Sequence, residues 1–369
     1  MARTLKSDRW LFLATMLLVG ISVVMVYSAS AVQAAENTRV PMYFAPWFKQ
    51  LVAAMLGVGL LFVVVRVDYH TFKRPAVIWS LLAVVAALLL VVFFFPPRNG
   101  TQRWIAVGGL SLQPSELAKL ATILFAAALL ERRMHRVNEP AYALLPIALV
   151  TLGLAGLVVK EPDLGTTVMI VFTVTAMVFA AGLSYRYVFG VGMLFLTAMM
   201  AVTLMFPYQQ KRLMTFMDPW RDQLGDGFQI TQSLMAVGSG GVLGRGLMHG
   251  VQKLYYLPEA HNDFIYAVVA EELGLWGTTV MLLLFGFIAW RGLRIALAAP
   301  DRFGALLAIG ITCMVAVQAL VNMSVVLAMV PTKGIPLPLV SNGGSSLLIN
   351  IFAVGILLNI SQQSSAVAT

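Results

Sequence analysis

The chain consists of long apolar segments separated by short polar ones, and this pattern recurs ten times. An α-helix needs about 20 mainly apolar residues to cross the hydrocarbon core of a bilayer. Only 11% of the 369 residues are charged, whereas soluble proteins carry about a quarter. The sequence therefore predicts an all-α, polytopic integral membrane protein that forms a single domain over 1–369. The predicted spans are 11–30, 47–65, 76–95, 115–131, 141–159, 164–181, 185–206, 275–292, 303–328 and 344–361.

Basic residues are distributed unevenly between the two sets of loops that ten spans create. One set holds thirteen Lys and Arg residues, and the other holds six when the long segment 207–263 is left aside. Cytoplasmic loops of membrane proteins are enriched in Lys and Arg. Both termini are therefore predicted to lie in the cytoplasm, and 207–263 outside. Membrane topology also accounts for the net charge of +9, so no nucleic-acid partner is expected.

The basic N-terminus followed by an apolar stretch also resembles a secretory signal peptide. The apolar stretch runs to about Ser28, which is longer than the core of such a signal, and Ser28-Ala29-Ser30 is a weak cleavage site. We therefore expect the first segment to be a transmembrane helix.

The segment 207–263, between the seventh and eighth spans, is too long and too polar to be a simple connector. The pattern of Phe228–Val237 predicts a short amphipathic helix, and Gly238–Gly250 contains six glycines that permit tight turns. Long structured loops on a rigid scaffold commonly carry function. Function is therefore expected on the outer face of the membrane.

Charged residues at the edge of an apolar span are costly, which makes them candidates for function. Glu116 and Lys119 follow Pro114 at the start of the fourth span, three residues apart and on one helical face. They could form a self-neutralising ion pair that only helps the helix tolerate lipid. Arg103 could join them and give an excess of positive charge suited to a pyrophosphate.

Two further polar groups lie in predicted outer turns. Asp163, in the turn Lys160–Asp163, could contact substrate or cap the following helix. Glu259, His261 and Asp263 follow one another closely before an apolar helix that ends at Gly274. Such a group could bind a metal, act as a general acid or base, or cap the helix.

Seven short motifs stand out along the chain. They are Val26–Ser30 (VYSAS), Gln102–Ile105 (QRWI), Gln113–Glu116 (QPSE), Pro162–Thr166 (PDLGT), Leu257–Phe264 (LPEAHNDF), Ala270–Gly274 (AEELG) and Gly334–Ser346 (GIPLPLVSNGGSS). They occur in the order seen in the SEDS family (shape, elongation, division, sporulation), which this sequence resembles over nearly its whole length. The loop Pro331–Gly334 (PTKG) is most similar to the division member of that family.

The resemblance implies a peptidoglycan glycosyltransferase of the bacterial cytoplasmic (inner) membrane that polymerises lipid II during septal wall synthesis. It implies attack of the acceptor GlcNAc 4-hydroxyl on the donor MurNAc, with inversion and release of undecaprenyl pyrophosphate. Asp263 matches the essential aspartate of the family, with general base as its proposed role. Glu116 and Lys119 match the buried acid–base pair of the family, and Arg103 a nearby functional arginine. The residues expected to bind substrate are Arg103, Glu116, Lys119, Glu259, His261 and Lys333.

The resemblance also implies partners and a cofactor. The partners are a class B penicillin-binding protein, which supplies the transpeptidase, and other membrane proteins of the division machinery. A divalent cation, Mg²⁺ or Mn²⁺, could assist by binding Asp263, and no organic cofactor is expected. Asn262 and Asn342 depart from the threonine and tyrosine that are usual in the family, and Asn342 removes any aromatic contact with the substrate there.

Three alternatives remain open at this point. The chain could be a lipid II flippase, an inactive scaffold that recruits a transpeptidase, or a polymerase of the elongation type. A flippase requires a continuous polar path, but the inner halves of most spans are apolar and the charged residues lie towards the outer halves. This distribution favours chemistry on the outer face.

Overall fold

The structure is a computed structural model that describes residues 7–36, 45–97, 101–107, 110–225, 227–254, 256–332 and 334–364. Each of the ten predicted spans is a helix in it, and two further helices lie in the long segment after α7. The helices are α1 (Arg9–Glu36), α2 (Pro46–Val64), α3 (Pro75–Val91), α4 (Pro114–Arg133), α5 (Leu145–Lys160), α6 (Leu164–Ala180), α7 (Tyr185–Met205), α8 (Pro207–Met217), α9 (Phe228–Gly240), α10 (Ile265–Ala298), α11 (Arg302–Val326) and α12 (Gly344–Gln363).

Eight helices in the described part of the chain are long and apolar enough to cross a membrane, which confirms the all-α polytopic fold. The two other predicted spans are α4 and α6. Helix α6 has only 17 residues, and α4 carries Glu116 and Lys119 in its first turns and Glu131, Arg132 and Arg133 at its end. The structure adds a short antiparallel hairpin that the sequence did not predict, β1 (Ile105–Val107) with β2 (Leu110–Leu112).

Helices α4, α11 and α12 form the centre of the bundle. Most side chains of these three helices are buried, and α12 is buried almost throughout from Ser345 to Ser361. Helix α12 packs against α2, and α10 packs against α1 and α11. By contrast, α7 exposes most of its apolar side chains, and its main neighbours are α6 and α8. Helices α4, α11 and α12 hold many of the buried polar residues described below.

One end of the bundle, here called the loop-rich end, carries the described residues of 101–113, 161–163, 206–264 and 327–343. Hydrogen bonds join these segments, including one from the Arg212 guanidinium to the carbonyl of Thr332 at 3.1 Å. At the opposite end, Asp8 pairs with Arg291 at 2.6 Å, and the Tyr69 amide donates to the Asn359 side chain at 2.9 Å. Polar contacts therefore fasten the bundle at both ends.

Helix α10 changes direction at Gly274, where two predicted helices meet. Gly274 has φ 65°, a conformation that glycine adopts without a steric penalty. A Cβ added there would lie 2.4 Å from the amide nitrogen of Gly244. The long segment thus packs backbone to backbone against the kink, and no larger residue fits without displacing it.

A buried ion pair fastens the same long segment to the bundle. The Lys253 ammonium lies 2.5 Å from a carboxylate oxygen of Glu272 and donates to the Ser28 hydroxyl at 2.8 Å. Glu272 also accepts from the Met248 amide at 3.0 Å. Burying a charge is tolerated when it is paired and hydrogen-bonded, and both conditions hold here.

Replacing Lys253 by methionine should destabilise the protein strongly, because Glu272 would be left as a buried carboxylate without its cation. Removal of one partner from such a pair costs about 3 to 5 kcal/mol. We expect a clearly lower melting temperature in detergent for Lys253→Met, with partial recovery in Lys253→Met/Glu272→Gln.

The control is Arg136→Met, which removes an exposed partner of Glu139 and should change the melting temperature little, because exposed pairs contribute about 0 to 1 kcal/mol. Equal melting of Lys253→Met and the unmodified protein would contradict this account of the segment.

Candidate functional site

The backbone that carries Asp263 is held by three consecutive hydrogen bonds. The carbonyls of 261–263 accept, in order, from the Asn342 amide at 3.0 Å, the Ser341 hydroxyl at 2.7 Å and the Asn322 side-chain amide at 2.8 Å. The donors come from α11 and from the segment between α11 and α12. Residues about 60 to 80 positions further along the chain therefore fix Asp263 just before α10 begins.

The Asp263 side chain is partly buried, and its surroundings change its acidity. Burial raises the pKa of Asp263 to about 7, and the negative charge of Glu259 acts in the same direction. Arg103 and Arg212 act in the opposite direction and lower the pKa of the same carboxyl. A carboxylate with a pKa near 7 is a far better proton acceptor at neutral pH than one at the ordinary value of about 4.

Arg103 is oriented by the turn between α5 and α6. Its Nε donates to the carbonyl of Glu161 at 3.1 Å, and a terminal nitrogen donates to the carbonyl of Pro162 at 2.5 Å. Its other terminal nitrogen lies 3.9 Å from the carboxylate of Asp163. The guanidinium is thereby fixed by main-chain acceptors, and its positive charge is only loosely compensated.

Asp163 caps a helix, which is one of the two roles that the sequence left open for it; contact with substrate stays a prediction. Its carboxylate caps α6 by accepting from the Thr166 amide at 3.1 Å. It also accepts from the Gln113 side chain at 3.3 Å and lies near Arg103. The carboxylate thus joins α6 to the residue that precedes α4.

Gly334 lies between Asp263 and Arg103. A Cβ added to Gly334 would be 2.9 Å from Oδ2 of Asp263 and 3.8 Å from Nη1 of Arg103. The carboxylate and the guanidinium therefore both lie within 4 Å of one point, and only a residue without a side chain leaves that point open. A proton acceptor and a fixed positive charge are brought together here.

Glu116 and Lys119 form a buried ion pair that two further side chains complete. The Lys119 ammonium lies 2.8 Å from Glu116 and 2.5 Å from the Gln318 side-chain oxygen. The other Glu116 oxygen accepts from the Ser346 hydroxyl at 2.9 Å. Both charged side chains are almost fully buried. The contacts of Arg103 go to the turn 161–163, so Arg103 does not join this pair as the sequence had suggested.

Glu259 and His261 flank Asp263 on the same turn. Glu259 has φ 53°, an uncommon conformation for a residue with a side chain, and accepts a hydrogen bond from the Asn262 side chain. Burial lowers the pKa of His261, and the charge of Glu259 partly offsets this. Lys333, the remaining predicted substrate-binding residue, lies outside the described residues.

A second acid, Glu161, lies buried at the same turn as Asp163. Both of its carboxylate oxygens are buried without a hydrogen-bond partner among the described residues. Burial, reinforced by the charge of Asp163 and opposed by that of Arg103, raises the pKa of Glu161 to about 8. Glu161 is therefore mostly protonated at neutral pH and adds little negative charge beside Arg103.

Sequence reasoning missed two polar residues of the site, Gln318 and Asn322 of α11. Both are buried and contact the segments that carry the candidate residues. The signal was present, because two amides lie four residues apart inside an otherwise apolar span. Neutral amides attract less notice than charges in such a span, although burying them unpaired is also unfavourable.

The described residues contain no group of three or more His, Cys, Asp or Glu side chains that could hold a metal ion. Asp263 could supply one carboxylate to a divalent cation, the mode in which Mg²⁺ binds when substrate phosphates complete its coordination. The residues present would therefore hold a divalent cation only when the phosphates of a bound substrate supply the remaining ligands.

The FtsW/RodA/SpoVE family model, described as cell cycle protein, matches residues 9–366. Stage V sporulation protein E of Bacillus subtilis is 42% identical over 97% of both chains. A protein of Trichlorobacter lovleyi named probable peptidoglycan glycosyltransferase FtsW is 41% identical over 97% of this chain and 94% of its own. These relatives span almost the full length of the sequence.

Solved structures show the same fold. A chain from a study of the structural coordination of polymerization and crosslinking by a peptidoglycan synthase complex has a TM-score of 0.79 and 33% identity, covering 98% of this chain and 99% of its own. The rod shape determining protein RodA of Thermus thermophilus has a TM-score of 0.71 and 28% identity, with the same coverage. This bacterial membrane protein therefore belongs to the FtsW/RodA/SpoVE family of cell cycle proteins, the SEDS family that its motifs resemble.

Proposed function

We propose that this protein polymerises lipid II into glycan strands, with Asp263 as the general base. The observation that carries the proposal is the position of the Asp263 carboxylate and the Arg103 guanidinium around the open point at Gly334. A base for the attacking hydroxyl and a positive charge for the departing pyrophosphate are the two groups that such a transfer needs. The name of the Trichlorobacter lovleyi relative supports the same reaction class.

In the proposed reaction, ionised Asp263 accepts the proton of the acceptor GlcNAc 4-hydroxyl. The oxygen attacks the anomeric carbon of the donor MurNAc, and the bond from that carbon to the pyrophosphate oxygen breaks. The pyrophosphate leaves with the electron pair as undecaprenyl pyrophosphate, and the configuration inverts. Asp263 then releases its proton to solvent, for which a pKa near 7 is well suited.

Arg103 is the proposed contact for the pyrophosphate, because its planar guanidinium can bind phosphate oxygens in a bidentate manner. Lys119 already donates to Glu116 and Gln318, so at most one N–H of its ammonium is left for a phosphate. Glu259, His261 and Lys333 remain predicted substrate-binding residues. Mg²⁺ or Mn²⁺ on Asp263 would supply further positive charge to the leaving group.

The proposed orientation places the loop-rich end outside the cytoplasm. Segments at the opposite end include Arg66, Lys73 and Arg74, and cytoplasmic loops are enriched in such residues. Both termini then lie in the cytoplasm, and the site faces the compartment in which the cell wall is built. A location at the division septum is part of the proposal and is supported by the FtsW relatives.

The distribution of polar residues favours a polymerase over a flippase. Below the buried pair, α4 is apolar over 123–130, and α12 is apolar over 351–358. A lipid headgroup with its sugars and pyrophosphate could cross this part of the bundle only by losing its hydration along both central helices. This supports a site, and not a path across the membrane, for the polar residues of the loop-rich end.

The proposed partner is a class B penicillin-binding protein, together with other membrane proteins of the division machinery. Its support is the structural neighbour taken from a peptidoglycan synthase complex. A role in elongation or in sporulation is the second candidate, because the relatives also include RodA and the stage V sporulation protein. The same site and the same chemistry serve each of these roles.

Replacing Asp263 by asparagine should abolish polymerisation, since the amide keeps the shape of the carboxyl but accepts no proton. We expect a rate loss of about a hundred- to ten-thousand-fold. The measurement is the formation of glycan ladders from labelled lipid II by the purified protein with a class B partner and divalent cation. Asp218→Asn, an exposed aspartate of the same long segment, is the matched control and should retain full activity.

Unchanged ladders with Asp263→Asn would remove Asp263 as the base while keeping the enzyme. Absence of ladders from the unmodified protein, while a known polymerase makes them in the same assay, would instead favour the flippase.

Gly334→Ala should also reduce the rate sharply, because the new methyl would lie 2.9 Å from the Asp263 carboxylate and displace it. A displacement of about 1 Å costs roughly a hundredfold in rate. The comparison is Gly344→Ala in the same segment, where the nearest atom is 3.9 Å away. Rates are measured per folded protein, and equal rates for the two variants would show that the point at Gly334 is not part of the site.

A further inference from the structure

Helix α11 presents two amide side chains, Gln318 and Asn322, on one face. They lie four residues apart, so they are neighbours one helical turn from each other. Both are buried within the bundle, where an amide without partners would cost free energy. The reaction proposed above assigns a role to neither side chain.

Asn322 joins two segments that are far apart in the sequence. Its side-chain nitrogen donates to the main-chain carbonyl of Asp263 at 2.8 Å and to that of Ile335 at 2.8 Å. One NH₂ group has two hydrogens, so this group satisfies one carbonyl on each side of the site. The segment that follows Gly334 is thereby fixed relative to Asp263.

Gln318 contacts the neighbouring peptide of the same segment. Its nitrogen donates to the carbonyl of Pro336 at 2.9 Å, and its oxygen accepts from the Lys119 ammonium at 2.5 Å. Ile335 and Pro336 are adjacent, so the two amides hold consecutive carbonyls. The buried pair Glu116–Lys119 is thus connected through Gln318 to the residues beside Gly334.

We infer that Asn322 and Gln318 form a two-amide clamp that positions Asp263 against Gly334. Asn322 is the positioning residue for Asp263. Gln318 connects the Glu116–Lys119 pair to the segment that follows Gly334. The catalytic part of this inference rests on the proposed function, whereas the physical clamp does not. It also gives the buried ion pair a supporting role in the site that requires no contact with substrate.

A matched amide at the opposite end of the bundle separates positioning from general stability. Asn359 of α12 is also buried and bridges two backbone groups, donating to the Val65 carbonyl at 2.8 Å and accepting from the Tyr69 amide at 2.9 Å. Its loss should destabilise the fold as much as the loss of Asn322. Neither of these two hydrogen bonds involves the segment 334–342.

Hydrogen–deuterium exchange tests the clamp without using activity. Asn322→Leu and Gln318→Met keep the approximate size of each side chain and remove its hydrogen bonds. Within 334–342, the Leu337 amide bonds to the Ser341 hydroxyl, and the Asn342 amide to the His261 carbonyl. We expect faster exchange over 334–342 in both variants and none of this change in Asn359→Leu.

Exchange that is unchanged in the two α11 variants, or equally raised in Asn359→Leu, would overturn the clamp. Should Asn322→Leu fail to fold, Asn322→Ser retains a hydroxyl for one of the two carbonyls and should show intermediate exchange. Because this readout needs no substrate, it decides the clamp even if the unmodified protein makes no glycan, an outcome that would defeat the proposed function alone.

The kinetic test is a double-mutant comparison of polymerisation rates per folded protein. Asn322→Leu should lower kcat about a hundredfold with KM nearly unchanged, as expected for a misplaced catalytic group. Since both amides hold one segment, Asn322→Leu/Gln318→Met should lose less than the product of the two single losses. Asn359→Leu should keep kcat within about twofold, and losses that multiply for the two α11 variants would overturn the shared clamp.

Discussion

The cost of removing charge from water governs how this bundle is built. A buried ion loses several kcal/mol of hydration unless a partner and further hydrogen bonds replace the water. The described residues include three buried or nearly buried pairs that meet this requirement, at three separate places. They are Asp8–Arg291, Glu116–Lys119 and Lys253–Glu272.

Asp263 departs from this rule. It faces Arg103 across the open point at Gly334 but has no close cation of its own in the contacts described above, and burial raises its pKa to about 7. Arg103 in turn is held mainly by main-chain carbonyls, and the Asp163 carboxylate lies 3.9 Å away from it. Two opposite charges that are positioned but not neutralised leave room for a substrate that supplies a hydroxyl and a pyrophosphate. The unusual backbone at Glu259, with φ 53°, occurs in the turn that leads to Asp263.

Much of the fold follows from the sequence, because a membrane span is a one-dimensional signal. The apolar runs predicted α1–α7 and α10–α12, and Phe228–Val237 lies within α9. Helix α8 and the hairpin at Ile105–Leu112 were not predicted, since neither carries an apolar run of spanning length. The glycines of 238–250 were expected to permit tight turns, and Gly241, Gly244 and Gly246 have positive φ. The packing of Gly244 against the backbone of α10 was not predicted.

The sequence indicated several residues of the candidate site but not the contacts between them. Motifs pointed to Arg103, Glu116, Lys119 and Asp263, whereas Gln318 lies 199 residues from the Lys119 that it contacts. A contact between residues so far apart in the chain leaves no periodicity or spacing in the sequence. The place of Gly334 between a carboxylate and a guanidinium is likewise a property of three segments brought together by folding. The partners of Arg103 differed from expectation because main-chain carbonyls do not appear in a sequence pattern.

The central claim is that Asp263 acts as a base from a site that raises its pKa. The most direct test is the pH dependence of kcat/KM for lipid II polymerisation by the purified protein with its class B partner, between about pH 5 and 9. Because the reacting form is the carboxylate, the account predicts that activity is lost as the pH falls through about 7. Full activity retained down to pH 5 would show a base with an ordinary carboxyl pKa, or no carboxylate base at all, and would contradict the account.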